Sequence, residues 1–414
     1  ASLLTGLYPH QAGIGAMNST KKDLSGKGLP AYLGYLNDNC VTIAEVLKSS
    51  GYQTGISGKW HVGTAKKYWP QKRGFDKSFA YINGAADYFD PLEPWWSEDQ
   101  RLYITLNDKE IRPKDDFYMT TEISDYATKY IQEFSKNDTP FFLYVPYTAP
   151  HWPLHALEED IEKFDGKYKK GFNYYRKKRY ERLKEMGLID SSWPLSEQFK
   201  HKNDEKNVLT PEWDKLNKVE KNKWARRMAV YAAMIYRMDK GIGRIIDKLK
   251  ETGAYENTLI LFLSDNGGCH EPIYLWDWAQ KNEGEIGSQE SFDACGYPWA
   301  NLSNTPFRLF KHWTMEGGIA TPFIAHWPKK IKNRQIDTKN VGHVIDLMAT
   351  CVDIADADYP GQYKGNKIKE MEGISLAKVW EGNDFPDRVL YWEQEGNWAI
   401  RAGKWKLVNS FKSH

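Results

Sequence analysis

The sequence runs to 414 residues and carries 57 Lys and Arg against 55 Asp and Glu, a formal net charge of +2. That length buries a sizeable core, as one large α/β domain with an appendage or as two or three smaller domains. Charge so evenly balanced sets up no global field for nucleic acid or an anionic membrane, so any anion must be recognised by a local site.

The opening Ala1-Ser2-Leu3-Leu4-Thr5-Gly6 has neither a basic n-region nor a long apolar stretch, and no run of about 18 apolar residues follows that would span a bilayer. A targeting signal, if the protein has one, is expected outside this sequence. Thr42 with Glu45 writes a capping box at the head of a short helix whose Ile43, Val46 and Leu47 share a face, and Gly51 is placed to end it. A strand over 53–57 is expected next. The runs Phe141-Phe142-Leu143-Tyr144-Val145 and Thr258-Leu259-Ile260-Leu261-Phe262-Leu263 are short and continuously apolar, which suits strands covered on both faces. Between them Tyr231, Ile235, Met238, Ile242, Ile245 and Leu249 recur at helical spacing, the stripe of a helix packed on a sheet. Near the end, Val389-Leu390-Tyr391-Trp392, Trp398-Ala399-Ile400-Arg401 and Lys404-Trp405-Lys406-Leu407-Val408 read as strands joined by turns at Gly396-Asn397 and Ala402-Gly403.

Buried strands alternating with amphipathic helices predict an α/β fold, a large mainly parallel, mixed sheet sandwiched between helices. The last strands add a small antiparallel C-terminal sheet, and the expected division is 1–385 for the catalytic α/β domain and 386–414 for the start of that smaller unit. In such folds ligands collect beyond the carboxyl ends of the strands. Three of those places are chemically loaded: Gly58-Lys59-Trp60-His61, Pro150-His151-Trp152-Pro153 and Ser264-Asp265-Asn266-Gly267-Gly268. Taken singly they are a surface lysine, a loop histidine between prolines and an ordinary turn. Together they make a site on one edge of one sheet. Asp265 and Asn266 offer the oxygen ligands that calcium or magnesium takes, Lys59 and Lys311 bring positive charge, and His61 and His151 move protons near neutral pH.

These residues resemble those of a type I, formylglycine-dependent sulfatase of the alkaline phosphatase superfamily, close to the bacterial arylsulfatase branch. Gly51-Tyr52-Gln53-Thr54-Gly55-Ile56-Ser57-Gly58-Lys59-Trp60-His61 is similar to the second sulfatase signature over its whole length, and Ala1-Ser2-Leu3-Leu4-Thr5-Gly6-Leu7-Tyr8-Pro9-His10 resembles the tail of the first. The likeness continues through Pro150-His151-Trp152-Pro153-Leu154-His155, Met238-Asp239, Asn304-Thr305-Pro306-Phe307-Arg308 and Lys311 with Glu316. It departs at Leu7, where the signature usually has Arg or Lys, and at Ile319, where many relatives carry Arg.

The resemblance implies hydrolysis of aryl, alkyl or saccharide sulfates to alcohol and sulfate. The nucleophile would be a formylglycine gem-diol, installed by a maturation enzyme on a Cys or Ser upstream of Ala1. A geminal diol keeps a second hydroxyl whose deprotonation expels sulfate, so turnover needs no water attack on sulfur. One calcium ion would sit on Asp265, Asn266 and two aspartates from an earlier strand. Lys59 and Lys311 would meet the sulfuryl oxygens, with His151 the acid at the leaving oxygen and His61 the base on the second hydroxyl. Lys311 is the other candidate for that acid. Many bacterial relatives are exported, so the periplasm or the medium is the expected location. Two other functions compete, a phosphodiesterase or phosphonate hydrolase on the same scaffold and a non-catalytic sulfate-ester binder.

Other features read as structure. Cys40, Cys269, Cys295 and Cys351 lack the close spacing of a zinc site or redox dithiol and are expected as core or incidental thiols. The basic and aromatic tract over 166–180 is followed by Glu181, Glu185 and Asp190, which favours a solvated surface excursion over nucleic-acid binding. Trp95, Trp96, Trp276 and Trp278 suit packing better than stacking on a sugar or aryl ring. The sequons at Asn18 and Asn301 carry no functional weight.

Overall fold

The computed structural model describes residues 1–16, 28–94, 101–202, 204, 208–277, 284–332 and 335–410. A single helical turn, α1 (Ser2–Thr5), ends at Gly6 in the left-handed region. Helix α2 (Ile43–Ser49) opens on the expected capping box: Glu45 N donates to Thr42 Oγ1 at 3.1 Å and Thr42 N to Glu45 Oε2 at 3.0 Å. Gly51, at φ 88, turns the chain into β1 (Gln53–Lys59), whose interior positions are all buried. Then come β2 (Lys77–Tyr81), β3 (Ile104–Leu106), β4 (Lys109–Glu110), helix α3 (Met119–Phe134) and β5 (Phe141–Tyr144).

These strands form one five-stranded mixed sheet in the order β4-β3-β2-β1-β5, with β2 and β5 parallel to β1 and the β3 and β4 edge antiparallel. Helix α3 packs on one face, where Ser57 Oγ donates to Ile123 O at 2.7 Å. The chain continues through α4 (Glu158–Ile161), α5 (Phe172–Glu185), α6 (Lys218–Glu251), β6 (Ile260–Leu263), α7 (Gly296–Ser303), α8 (Glu316–Ile319), β7 (Phe323–His326) and α9 (Asp346–Ile354). The long α6 crosses α3 closely because Gly241 has no side chain; a Cβ there would stand 2.1 Å from Ser124 Oγ. On the other face Ile43, Val46 and Leu47 of α2 pack with Met348 of α9. The basic tract lies largely on α5 and is solvated, with pairs from Lys178 to Glu181 and from Arg182 to Glu185. Asn301 is buried within α7, so that sequon offers no accessible amide, and Asn18 lies outside the described residues.

One expectation needs correcting. The strand over 258–263 was to share a sheet edge with 53–57 and 141–145, but β6 pairs only with β7, antiparallel, in a separate two-stranded ladder among the described residues. Neither β5 nor β6 is covered on both faces; every residue of each is half-buried. Both line one cavity of about 4330 Å³, together with Ile235, Met238 and Ile242 of the α6 stripe and Leu347 of α9. The predicted helix stripe is present, yet part of it faces a slot between two strand edges, and Ile235 is 38% exposed.

The chain closes with the short hairpin of β8 (Gln362–Tyr363) and β9 (Asn366–Lys367), helix α10 (Ala377–Trp380), and an antiparallel sheet of β10 (Val389–Gln394), β11 (Asn397–Ala402) and β12 (Trp405–Asn409). Its turns use Glu395, Gly396 and Gly403 at positive φ, as the glycines there require. Two ion pairs and one imidazole–carboxylate contact tie this sheet and its approach to the body: Arg388 to Asp346 at 2.6 Å, Lys406 to Glu316 at 2.5 Å, and His10 Nε2 beside Glu393 Oε2 at 2.7 Å.

Candidate active site

The site is built where strands stop. At the end of β1, Lys59 N donates to Pro146 O at 2.8 Å and His61 N to Ile82 O at 3.1 Å, which carries the β1 direction past its last residue. His61 takes a left-handed backbone, φ 50, and its imidazole lies against Gly84, where a Cβ would come within 3.0 Å of Nε2. After β5 the chain is held by two buried tyrosines: Tyr88 Oη donates to His151 O and Tyr118 Oη to His155 O, both at 2.9 Å. After β6 the turn over 265–268 is clasped from outside. Gly267 N donates to Gly318 O at 2.9 Å, Gly268 N to Asn304 Oδ1 at 2.8 Å, and Lys311 N to Gly268 O at 3.2 Å.

These three turns and Lys311 bring all of the predicted site residues, Lys59, His61, His151, Asp265, Asn266 and Lys311, to one cavity. Lys311 Nζ lies 3.0 Å from His151 Nε2, and His151 Nδ1 lies 2.8 Å from Trp152 O. A carbonyl only accepts and an ammonium only donates, so the imidazole carries its proton on Nδ1 and accepts from Lys311. Burial, then the charges of Lys311 and Lys59, hold His151 well below its ordinary value. The same causes, burial first, pull His61 down to about 3, and burial with Lys311 pulls Lys59 down to about 8. Burial alone would lower Lys311 as well, but Cys269, Glu271 and Asp265 outweigh it and raise it.

Asp265 and Asn266 have the oxygen chemistry a hard cation prefers. Among the described residues no group of three or more His, Cys, Asp and Glu is placed to hold a metal, so these two would supply only part of a shell. All four cysteines are free thiols, but Cys269 is not incidental: its Sγ lies 2.9 Å from Glu271 Oε2, and burial pushes the thiol up to about 12. Trp276 meets Trp152 edge-on at 6.1 Å, which is packing, while Trp95, Trp96 and Trp278 lie outside the described residues. Glu271 went unmarked in the sequence, because a single carboxylate in a loop carries no signal until its neighbours are known.

The family profile described as Sulfatase matches residues 1–357. This chain belongs to the sulfatase family. It is 33% identical over 438 residues to an uncharacterized sulfatase of Schizosaccharomyces pombe, covering 98% of this chain and 76% of that protein. To the arylsulfatase of Klebsiella aerogenes it is 32% identical over 386 residues, covering 91% of this chain and 80% of the other. In fold it resembles the crystal structure of Ps i-CgsB in complex with k-i-k-neocarrahexaose, with a TM-score of 0.65 at 23% identity over 99% of this chain and 72% of that one. This sulfatase is a hydrolase of sulfuric esters, and the mixed sheet with its small antiparallel companion is the architecture expected from the resemblance. No helix among its described residues is long and apolar enough to cross a membrane.

Proposed function

We propose that this sulfatase cleaves aryl, alkyl or saccharide sulfates with a formylglycine nucleophile and one calcium ion on Asp265 and Asn266. The observation that carries the reading is the 3.0 Å contact of Lys311 with His151 in the cavity that Lys59, His61, Asp265 and Asn266 also line. Maturation by a formylglycine-generating enzyme and export from the cytoplasm belong to the same proposal, as does a sulfated sugar as substrate, since one neighbour in fold was solved in complex with its substrate D-Glucosamine-2-N, 6-O-disulfate.

The chain's own residues divide the work. Bound calcium would lower the pKa of an attacking hydroxyl and draw charge from a sulfate oxygen. Lys311, kept cationic by its acidic neighbours, and Lys59 would stabilise the sulfuryl oxygens. His151 is neutral in the empty pocket because burial and two lysines oppose its charge. An anionic ester would offset part of that field and favour protonation at Nε2, from which the imidazole would donate to the leaving oxygen. His61, held low by burial, would accept a proton from the second hydroxyl.

The test is a leaving-group series on matured full-length enzyme. A phenol of low pKa hardly needs protonation, whereas an alkyl or sugar alcohol does. His151→Ala should therefore steepen the dependence of kcat/KM on leaving-group pKa, and Lys311→Ala should lower every rate roughly a hundredfold or more, as loss of one preorganised donor does. Equal losses at every leaving group for His151→Ala would pass the acid role to Lys311.

A further inference from the structure

We propose that Glu271 is a positioning residue for this reaction: its carboxylate fixes the Trp152 indole, and through the Trp152 carbonyl it sets the orientation of His151 against Lys311 and the leaving oxygen. The inference rests on the leaving-group role given to His151 above. Trp152 Nε1 donates to Glu271 Oε2 at 2.7 Å, and the Cys269 thiol approaches the same oxygen at 2.9 Å. Trp152 is 8% exposed and packs with Leu102, Ile273 and Ala294, so its ring is held by packing on its sides and by the Glu271 hydrogen bond at Nε1.

His151 has little independent freedom. Its carbonyl is held by Tyr88, its Nδ1 donates to the carbonyl of Trp152 at 2.8 Å, and its ring lies 4.8 Å from the Trp152 ring. Releasing the indole lets Trp152 shift as a whole, ring and backbone together, which moves both the ring beside His151 and the carbonyl that orients the imidazole. The reach of Nε2 toward Lys311, 3.0 Å, changes with it. Glu271 also sits on the loop that begins with Asp265 and Asn266, so this one hydrogen bond joins the cation loop to the histidine loop. Burial alone would raise the Glu271 carboxyl, but Lys311, the Cys269 thiol and the Trp152 indole outweigh it, so the acceptor stays ionised. Residues that orient a reacting group through one intermediate contact typically change activity roughly ten- to a hundredfold when removed.

The experiment measures kcat/KM across aryl sulfates of increasing leaving-group pKa, on matured full-length enzyme, for Glu271→Ala, Glu271→Gln, Trp152→Phe, the Glu271→Ala/Trp152→Phe double variant and His151→Ala. Glu271→Ala and Trp152→Phe should each lower kcat/KM roughly ten- to a hundredfold for poor leaving groups and far less for good ones. The double variant should be no worse than either single change, because both cut one link. Glu271→Gln keeps an acceptor oxygen and should retain most of the activity. Wild-type behaviour of Glu271→Ala, additive losses, or a Glu271→Gln as impaired as Glu271→Ala would overturn the inference, the last by showing that charge beside Lys311 is what matters. If Glu271→Ala fails to fold, Trp152→Phe and Glu271→Gln still decide. If His151→Ala steepens the series while Glu271→Ala and Trp152→Phe leave its slope alone, only this inference fails; if His151→Ala does not steepen it, the leaving-group role itself fails.

Discussion

Gly267 has no room for a side chain: a Cβ on it would stand 1.8 Å from Gly317 O, a backbone atom that cannot step aside. Gly267→Ala should therefore destabilise the fold by about 1–3 kcal/mol, the usual range for overpacking, and lower the urea midpoint accordingly. It should also spoil the turn that presents Asp265 and Asn266. Those two side chains make a separate prediction. If they hold calcium, the ion at a hundred times its Kd should add about 2.7 kcal/mol to full-length enzyme, and Asp265→Ala should abolish the rise in Tm while leaving the calcium-free Tm near that of the parent. Stoichiometric zinc in pairs after dialysis would favour the phosphodiesterase alternative instead. At this scale the sequence was most legible. Lys59, His61, His151, Asp265, Asn266 and Lys311 stand in motifs with fixed order, and each lies where a strand or turn delivers it to the cavity. Glu271 and Cys269 were not legible, because their role is a contact across 119 residues of chain, from Glu271 to Trp152.

The crossing of α3 and α6 offers a matched pair of tests within one helix. Gly241 faces Ser124, whereas Gly243 has nothing within 4 Å of an added Cβ. Gly243→Ala should stabilise by about 1 kcal/mol through helix propensity alone. Gly241→Ala should destabilise despite the same gain, since it wedges the helices apart, and chemical denaturation of both variants would show opposite signs. The loop after β5 carries a pH dependence. Burial pulls His155 down to about 4 and pushes Asp87, 3.6 Å away, up to about 7. Between about 4 and the ordinary histidine value the unfolded chain binds a proton that folded His155 refuses. The stability it contributes is thus complete above that ordinary value and is lost as pH falls to about 4. Asp87 has the opposite linkage: its folded carboxyl keeps a proton up to about 7 that the unfolded chain has already released, so it offsets the His155 contribution across the same window. His155→Gln removes the histidine's share alone, so the unfolding free energies of parent and variant should diverge by on the order of 3 kcal/mol between neutral pH and pH 4, and parallel pH profiles would refute it. Capping box, helix stripe and C-terminal strands were all readable from local pattern. The partner of β6 was not, because an apolar run says that a strand is buried without saying which edge it meets.

For the molecule as a whole the slot between β5 and β6 dominates. Apolar side chains of two strands and two helices there face part of the cavity of about 4330 Å³ that also takes in the site residues, an arrangement that water does not favour. The sheet at the other end is joined to the site by a shorter route. Glu316 of α8 is paired with Lys406 of β12, and the next two glycines clasp the turn that bears Asp265 and Asn266. Coupling of that kind runs in both directions with one free energy. An ion that tightens the turn should slow deuterium uptake by the amides of β12, and any substitution that frays β12 should weaken the ion by the same factor.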